Sequence, residues 1–111
     1  WQNSEKLLSE IKYPMAADPA HTLSKTFGVY DGASGLALRG TFIINPDGKL
    51  LSCEVNYFPV GRNSDELLRK LKAFKYVRDN PAQVCPAKWQ PGGKTLIPGK
   101  DLVGKVGERL R

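Results

Sequence analysis

The chain has 111 residues, enough for one small domain with a single hydrophobic core. Its 17 basic and 11 acidic residues leave a formal net charge of +6, but both signs are spread along the whole chain, so no nucleic-acid interface is expected. No apolar run approaches the ~20 residues that cross a bilayer, so no membrane segment is expected.

The cysteine and histidine content argues against two further classes of protein. Two cysteines, Cys53 and Cys85, in a chain without the features of a signal peptide argue against a disulfide scaffold and for a reducing, cytoplasmic location. One histidine and two widely separated thiols do not make a four-ligand zinc site, so no metal is expected. Because the sequence starts on Trp1 and not on methionine, we expect a processed or truncated chain.

Three short elements are predicted ahead of the main strands. The stretch NSEKLLSEIKYP favours a helix that Asn3 or Ser4 would cap and that the proline at its end would stop. The stretch YPMAAD resembles a short strand. The stretch HTLSKTFG predicts a short helix that ends at its final glycine.

The strongest local pattern is LALRGTFIINPDGKLLSCEVNYF, in which two apolar runs flank the turn residues Asn45-Pro46-Asp47-Gly48. The runs alternate with a period of two, so a β-hairpin is predicted. We expect the apolar face of its second strand to be buried, with Cys53 as a small core residue in preference to a redox residue. That face comprises Leu51, Cys53, Val55 and Tyr57.

The stretch NSDELLRKLKAFKYVRDNP predicts an amphipathic helix. Asn63 or Ser64 would cap it, and the acidic residues that follow favour the positive end of its dipole. Its basic residues are expected to form a solvated face. The apolar stripe comprises Leu67, Leu68, Leu71, Phe74 and Val77.

Beyond residue 80, prolines and glycines interrupt every candidate element. We therefore predict an irregular arm, residues 81–111, that must lie on another surface to be ordered. Trp89 is its expected anchor, with Leu96 and Ile97 as further candidates. Cys85 lies in QVCPAKWQPGGK, whose prolines and glycines exclude a helix or a central strand, so its thiol is expected to be presented and not packed.

Two arginines are candidate site residues. Arg39 interrupts the apolar strand LALRGTFII, and an unpaired buried charge is costly, so this side chain must either extend to the end of the strand or find a fixed anion, in a structural ion pair or in a functional anion site. The residue pattern leaves these alternatives open. Arg62 precedes a helix N-terminus in VGRNSDE. Capping by its neighbours explains that loop without chemistry, and a role for Arg62 in a site is the second alternative.

Five ordered stretches carry a family resemblance: KYPMAADPAHTLSKTFGV, LALRGTFIINPDGKL, VGRNSDELLRKLKAFKYV, QVCPAKWQPGGKTL and DLVGKV. Together they resemble the C-terminal portion of typical two-cysteine peroxiredoxins of the bacterial alkyl hydroperoxide reductase type. The resemblance implies an α/β fold. Residues 1–80 would be the C-terminal part of a thioredoxin-like fold, a mixed sheet with flanking helices, and residues 81–111 would be the irregular arm.

The resemblance also implies an activity. It points to a thiol peroxidase that reduces hydrogen peroxide and organic hydroperoxides through a cysteine sulfenic acid and an intersubunit disulfide. No cofactor is implied; a thioredoxin or a flavoprotein disulfide reductase would supply the electrons, and the assembly would be a homodimer or a ring of dimers. Cys85 in VCPAKW matches the resolving cysteine, Arg39 in LRGTF the active-site arginine, and Arg62 in VGRN the second arginine near the site.

One departure from the family pattern bears on function. The peroxidatic motif, in which a threonine and prolines flank the cysteine, is not found in these 111 residues, and Cys53 in LSCEVN does not match it. We therefore expect this chain to supply only the resolving half of the chemistry and to be inactive alone. The alternative is a non-catalytic small basic binding module whose arm docks on a partner, with Cys85 as an incidental thiol.

Overall fold

The structure, a computed structural model, describes residues 4–111. In chain order the elements are α1 (Lys6–Ser9), α2 (Thr22–Thr26), β1 (Tyr30–Asp31), β2 (Leu36–Ala37), β3 (Arg39–Ile44), β4 (Leu50–Asn56), α3 (Ser64–Asp79), a 3₁₀ helix (Lys100–Leu102) and α4 (Val106–Leu110). Strand β1 pairs with β2, and β3 pairs with β4; both pairings are antiparallel. The chain therefore combines helices with two small antiparallel sheets.

The chain is elongated and has a small core. Its Cα radius of gyration is 18.5 Å, against about 13 Å for a compact domain of this length. The apolar side chains that are buried belong to Val29, Ile43, Trp89 and Leu96. Within residues 4–111, no helix is long and apolar enough to cross a membrane.

The segment ahead of α2 is less regular than predicted. Helix α1 spans four residues with Glu5 at its N-cap, and the predicted cap Asn3 lies outside the described residues. The predicted strand at residues 13–18 is wrong, because these residues have no regular structure. A strand gains its backbone hydrogen bonds only by pairing with another strand, and no strand in the described part of the chain pairs with this segment.

The aspartate ahead of α2 fixes the start of that helix. The Asp18 carboxylate accepts hydrogen bonds from the backbone N–H groups of Leu23 (3.1 Å) and Ser24 (2.9 Å) and from the Ser24 hydroxyl (2.6 Å). These bonds, with the one from the Ser24 hydroxyl as the largest cause, lower the pKa of Asp18 to about 2. Gly28 follows the helix with a φ of +67°, which confirms it as the C-terminal breaker.

A short hairpin that the sequence analysis did not predict follows α2. Tyr30 pairs with Ala37, and Asp31 pairs with Leu36. The Asp31 carboxylate accepts a hydrogen bond from the Ser34 hydroxyl at 2.5 Å, which stabilises the connecting turn. The aspartate and the glycines of this turn are a sequence signal from which the turn could have been predicted.

The predicted hairpin of β3 and β4 is confirmed. Arg39 lies opposite Asn56, and Phe42 lies opposite Cys53. The turn glycine, Gly48, has a φ of +79°, a conformation that glycine adopts without strain. The turn chemistry and the period of two were therefore sufficient to predict this element.

The first half of β3 packs against the end of α2. The ring centroids of Phe27 and Phe42 lie 4.6 Å apart. Gly40 permits this approach, because a Cβ atom at its position would lie 2.7 Å from the Phe42 ring and 3.0 Å from the Val29 side chain. A larger residue at position 40 would therefore separate α2 from the hairpin.

The apolar face of β4 was predicted to be buried, but the structure covers the opposite face of this strand. The polar face lies against α3, where Lys70 Nζ is 2.8 Å from Glu54 Oε2. The apolar face is largely exposed, so the predicted burial of Cys53 is wrong. The period of two places Cys53 on the side opposite Glu54, away from the helix. The exposed side chains of that face are Leu51, Cys53, Val55 and Tyr57.

Helix α3 begins as predicted. Asn63 Oδ1 accepts a hydrogen bond from the backbone N–H of Glu66 at 3.0 Å. The prediction of a solvated basic face is wrong for Arg69 and Lys70, whose side chains are 20% and 28% exposed. In the predicted apolar stripe, the partly covered residues are Leu67, Phe74 and Val77, and the exposed ones are Leu68 and Leu71.

The part of the arm around Trp89 lies on α3. Trp89 and Leu96 are 4% and 8% exposed, which confirms both as anchors, whereas Ile97 is 68% exposed and is not an anchor. Val84 and Leu96 exchange backbone hydrogen bonds of 2.8 and 3.1 Å. The Trp89 ring lies 5.1 Å from the Tyr76 ring of α3, between centroids. The division of the chain at residue 80 stays a prediction.

Candidate functional site

Cys85 lies in a crevice between the arm and α3 and is partly buried, which differs from the prediction of a presented thiol. Burial raises the pKa of the Cys85 thiol, and the charge of Arg69 offsets part of that rise. A raised pKa leaves a smaller share of the thiol as the reactive thiolate. The side chains that line the crevice are Arg69, Lys70, Ala73, Phe74, Val77, Val84, Pro86 and Ala87.

Backbone contacts fix the chain on both sides of Cys85. Directly before it, Val84 is bonded to Leu96 through both of its backbone groups. After it, the Trp89 N–H donates to the Pro86 carbonyl at 3.1 Å and closes a tight turn. The proline-rich segment is thus a defined loop that holds the thiol between two attachment points.

Arg69 joins α3 to the arm. Its Nε and Nη2 donate to the two carboxylate oxygens of Glu66 at 2.6 and 2.8 Å, and its Nη1 donates to the Trp89 carbonyl at 3.1 Å. The hydrogen bond between the two side chains raises the pKa of Arg69 and lowers the pKa of Glu66. Sequence analysis missed this role. The spacing of Glu66 and Arg69 indicates an ion pair, but no sequence signal connects Arg69 with Trp89.

The two candidate arginines lie at the same end of the β3–β4 hairpin. Arg39 Nε donates to the Phe58 carbonyl at 2.7 Å, and Arg62 Nη1 donates to the Gly40 carbonyl at 3.1 Å. Both side chains belong to exposed residues. Each is therefore oriented by a neutral carbonyl, which leaves its positive charge uncompensated by that contact.

The structural ion pair that was one alternative for Arg39 is not formed within the described residues. The ion pairs of residues 4–111 join Glu66 to Arg69, Glu54 to Lys70 and Arg78 to Asp79. Arg39 is the first residue of β3 and is exposed, which fits the alternative that its side chain extends to the strand end. An anion site at Arg39 stays a prediction. No three histidine, cysteine or acidic side chains in the same part of the chain converge as metal ligands.

The structure brings Arg39 and Arg62 together but places Cys85 in a separate crevice. Lys70 lies between the two places, since it lines both the Cys85 crevice and the groove beside Arg62. Cys53 belongs to neither, because it faces away from α3. Within one chain, Cys85 and the two arginines therefore do not share a site.

Models of two families match the chain. A model described as the AhpC/TSA family matches residues 1–52, and one described as the C-terminal domain of 1-Cys peroxiredoxin matches residues 73–107. Alkyl hydroperoxide reductase C of Bacillus subtilis is 51% identical over 106 residues, which are 96% of this chain and 57% of that protein. The chain thus spans about half the length of the curated relatives it matches.

Solved structures match the fold. AhpC of Enterococcus faecalis superposes with a TM-score of 0.72 at 45% identity, over 78% of this chain and 52% of that one. The reduced 2-Cys peroxiredoxin of Plasmodium vivax gives a TM-score of 0.75 at 27% identity, over 82% of this chain and 47% of that one. These matches confirm the predicted α/β fold class as part of a thioredoxin-like fold. On sequence and structure together, the chain belongs to the AhpC/TSA family of peroxiredoxins.

Proposed function

We propose that the complete protein containing this chain is a thiol peroxidase that reduces hydrogen peroxide and organic hydroperoxides. The observation that carries this proposal is the 51% identity with alkyl hydroperoxide reductase C over 96% of the chain. In this proposal Cys85 is the resolving cysteine, and Arg39 and Arg62 support the peroxide-reactive thiolate. The peroxidatic cysteine itself would lie outside these 111 residues.

The proposed reaction has two chemical steps before reduction. The peroxidatic thiolate attacks the terminal oxygen of the hydroperoxide, the O–O bond breaks, and a sulfenic acid forms. The alkoxide leaves as an alcohol after taking a proton. When the substrate is hydrogen peroxide, the leaving hydroxide becomes water in the same way. The Cys85 thiolate then attacks the sulfur of the sulfenic acid, an S–S bond forms, the S–O bond breaks, and hydroxide leaves as water after taking a proton. Two electrons from a thioredoxin or a flavoprotein disulfide reductase restore both thiols.

The environment of Cys85 supports a resolving role better than a peroxidatic one. A peroxidatic cysteine needs a lowered pKa, because only the thiolate attacks the peroxide. Burial instead raises the pKa of the Cys85 thiol, which protects it from direct oxidation while the arm is docked. Its position on a loop, with few backbone ladder bonds to break, suits a thiol that must reach another sulfur.

The two arginines support the first step. A hydroperoxide bond that breaks develops negative charge on the leaving oxygen, and a fixed cation stabilises that charge. Arg39 and Arg62 are each oriented by a backbone carbonyl, so their charges stay available for an anion. This arrangement favours an anion site over a structural ion pair.

The same proposal covers the assembly and the compartment. Because the disulfide joins Cys85 to a second subunit, the protein would be a homodimer or a ring of dimers, in a reducing compartment such as the cytoplasm. The alternative of a non-catalytic basic module has less support, since it does not account for the identity with alkyl hydroperoxide reductase C across the whole chain.

The test is the crosslink that the complete protein forms with one equivalent of hydrogen peroxide. On a non-reducing gel, Cys85→Ser is expected to abolish the disulfide-linked dimer and to stop turnover with a thiol-disulfide reductant. Cys53→Ser is the matched control, because Cys53 is exposed on the strand face away from α3. A crosslink that survives Cys85→Ser and is lost in Cys53→Ser would overturn the assignment of the resolving thiol.

A further inference from the structure

Arg69 has a geometry that a surface ion pair on a helix does not require. Glu66 and Arg69 are three residues apart on α3, a spacing at which exposed pairs contribute little. Here, however, the Arg69 side chain is only 20% exposed. Its Nη1 reaches the carbonyl of Trp89, twenty residues later in the chain, at 3.1 Å. Arg69 therefore connects α3 with the arm.

The contact with Glu66 orients the contact with the arm. Because Glu66 accepts from Nε and Nη2 of Arg69, the planar guanidinium is fixed with Nη1 directed at the Trp89 carbonyl. A lysine at this position has a single ammonium group on a flexible stem and cannot donate to both partners with this fixed, planar geometry. The carbonyl of Trp89 lies four residues after Cys85, so it belongs to the segment that carries the thiol.

The other attachment of the arm lies on the opposite side of Cys85. The Tyr76 hydroxyl donates to Gln83 Oε1 at 2.8 Å, and the Thr95 hydroxyl bonds to the same oxygen. Cys85 is thus held between a contact two residues before it and the Arg69 contact after it. After Cys85, the Trp89 ring is a second contact with α3, because it is 4% exposed and lies 5.1 Å from the Tyr76 ring between centroids. Loss of the Arg69 contact would therefore weaken the attachment after Cys85 and leave the contact before it in place.

We propose that Arg69 is a positioning residue that latches the arm on α3 and sets how often Cys85 is released to form the disulfide. This inference rests on the proposed function for its consequence, but not for the latch itself. When the Trp89 carbonyl is held, Cys85 lies in the crevice; when it is freed, the thiol can reach a sulfenic acid on another subunit.

The latch is tested first in the reduced protein, where no peroxide chemistry is needed. The rate at which iodoacetamide alkylates Cys85 is read by peptide mass spectrometry in the complete protein. Loss of a charge-assisted hydrogen bond predicts that Arg69→Gln raises this rate about tenfold. Glu66→Gln, which weakens the orientation of Arg69, is expected to raise it by about threefold.

The matched control is Arg78→Gln. Arg78 pairs with Asp79, its neighbour on the same helix, and both side chains are more than half exposed, so the alkylation rate of Cys85 should stay within about twofold. Arg69→Lys keeps the positive charge but loses the planar guanidinium. It should recover less than half of the protection from alkylation that Arg69→Gln loses, and full recovery would overturn the role of the guanidinium geometry. A fall in the urea midpoint large enough to account for the faster alkylation would also overturn the latch.

A second measurement separates the latch from the proposed function. After one equivalent of peroxide, stopped-flow fluorescence resolves the peroxide step from disulfide formation. Arg69→Gln should accelerate only disulfide formation. If the unmutated protein forms the disulfide and Arg69→Gln changes neither alkylation nor disulfide formation, the latch is refuted while the proposed function stands. If alkylation accelerates but the unmutated protein forms no Cys85 disulfide, the latch stands and the proposed function is refuted.

Discussion

The β3–β4 hairpin is a paired, regular element that buries a single apolar side chain, Ile43, whereas the irregular arm buries two, Trp89 and Leu96. Cys53 is exposed on β4 although it is paired with Phe42 of β3, and Trp89 and Leu96 are 4% and 8% exposed on a segment broken by prolines and glycines. Backbone regularity and burial thus have different origins in this molecule. A ladder is completed by a neighbouring strand, but burial requires a second surface.

The two cysteines show the same difference. Cys53 has a regular backbone and an open side chain, because α3 covers the other face of its strand. Cys85 has an irregular backbone and a partly covered side chain, because the arm folds onto α3. A thiol on a loop can leave its cover without the loss of a sheet, whereas a thiol on a strand cannot move independently of the ladder.

The largest effect is expected at the arginine end of the hairpin. Arg39→Ala should slow the peroxide step of the complete protein about a hundredfold, since a fixed cation is lost where negative charge develops. Stopped-flow rates measure this step directly. Lys49→Ala removes a positive charge from the opposite end of the same hairpin and should leave the rate within about twofold. A peroxide-step rate of Arg39→Ala close to that of the unmutated protein would contradict a role for Arg39 in this step.

A smaller effect is expected from the burial of the arm. Leu96→Ala should lower the free energy of unfolding by about 2 kcal/mol, because it leaves a cavity between the arm and its neighbours. Ile97→Ala is the adjacent control; with a side chain that is 68% exposed, it should change the stability by less than about 0.5 kcal/mol. Urea unfolding followed by tryptophan fluorescence measures both. Equal losses of unfolding free energy in the two variants would contradict the burial of Leu96 and the exposure of Ile97.

The smallest effect is expected at the cap of α2, and it depends on pH. The pKa of Asp18 is lowered to about 2 in the folded state, below the ~3.9 of an unfolded aspartate. Its contribution to stability is therefore complete above pH ~4 and is lost as the pH falls through ~2. Asp18→Asn should lower the thermal midpoint by a few degrees at pH 5, and this difference should disappear near pH 2.

The control for that measurement is Asp101→Asn, which removes a negative charge from an exposed residue outside the cap. It shows whether the loss of one carboxylate by itself shifts the midpoint. A difference between Asp18→Asn and the unmutated protein that persists unchanged down to pH 2 would contradict the carboxylate cap, because a protonated Asp18 no longer accepts these bonds as an anion.

Elements that depend on near neighbours were predictable. The turn at residues 45–48 and the N-cap at Asn63 follow from residue chemistry within a few positions, and both are confirmed. The short hairpin of β1 and β2 followed from the same chemistry but was missed, because each strand has only two residues. The segment at residues 13–18 failed as a strand because β propensity alone provides no pairing partner.

By itself, the amino-acid sequence determined the alternation of β3 and β4, the extent of α3, the irregularity of the arm and the membership of the AhpC/TSA family. Tertiary structure alone decided which face of the hairpin α3 covers, and hence that Cys53 is exposed. It also decided that Arg69 holds the Trp89 carbonyl across twenty residues. The physical reason is that hydrogen-bond patterns and side-chain periodicity are set by adjacent residues, whereas burial and charge pairing depend on surfaces that meet only when the chain has folded.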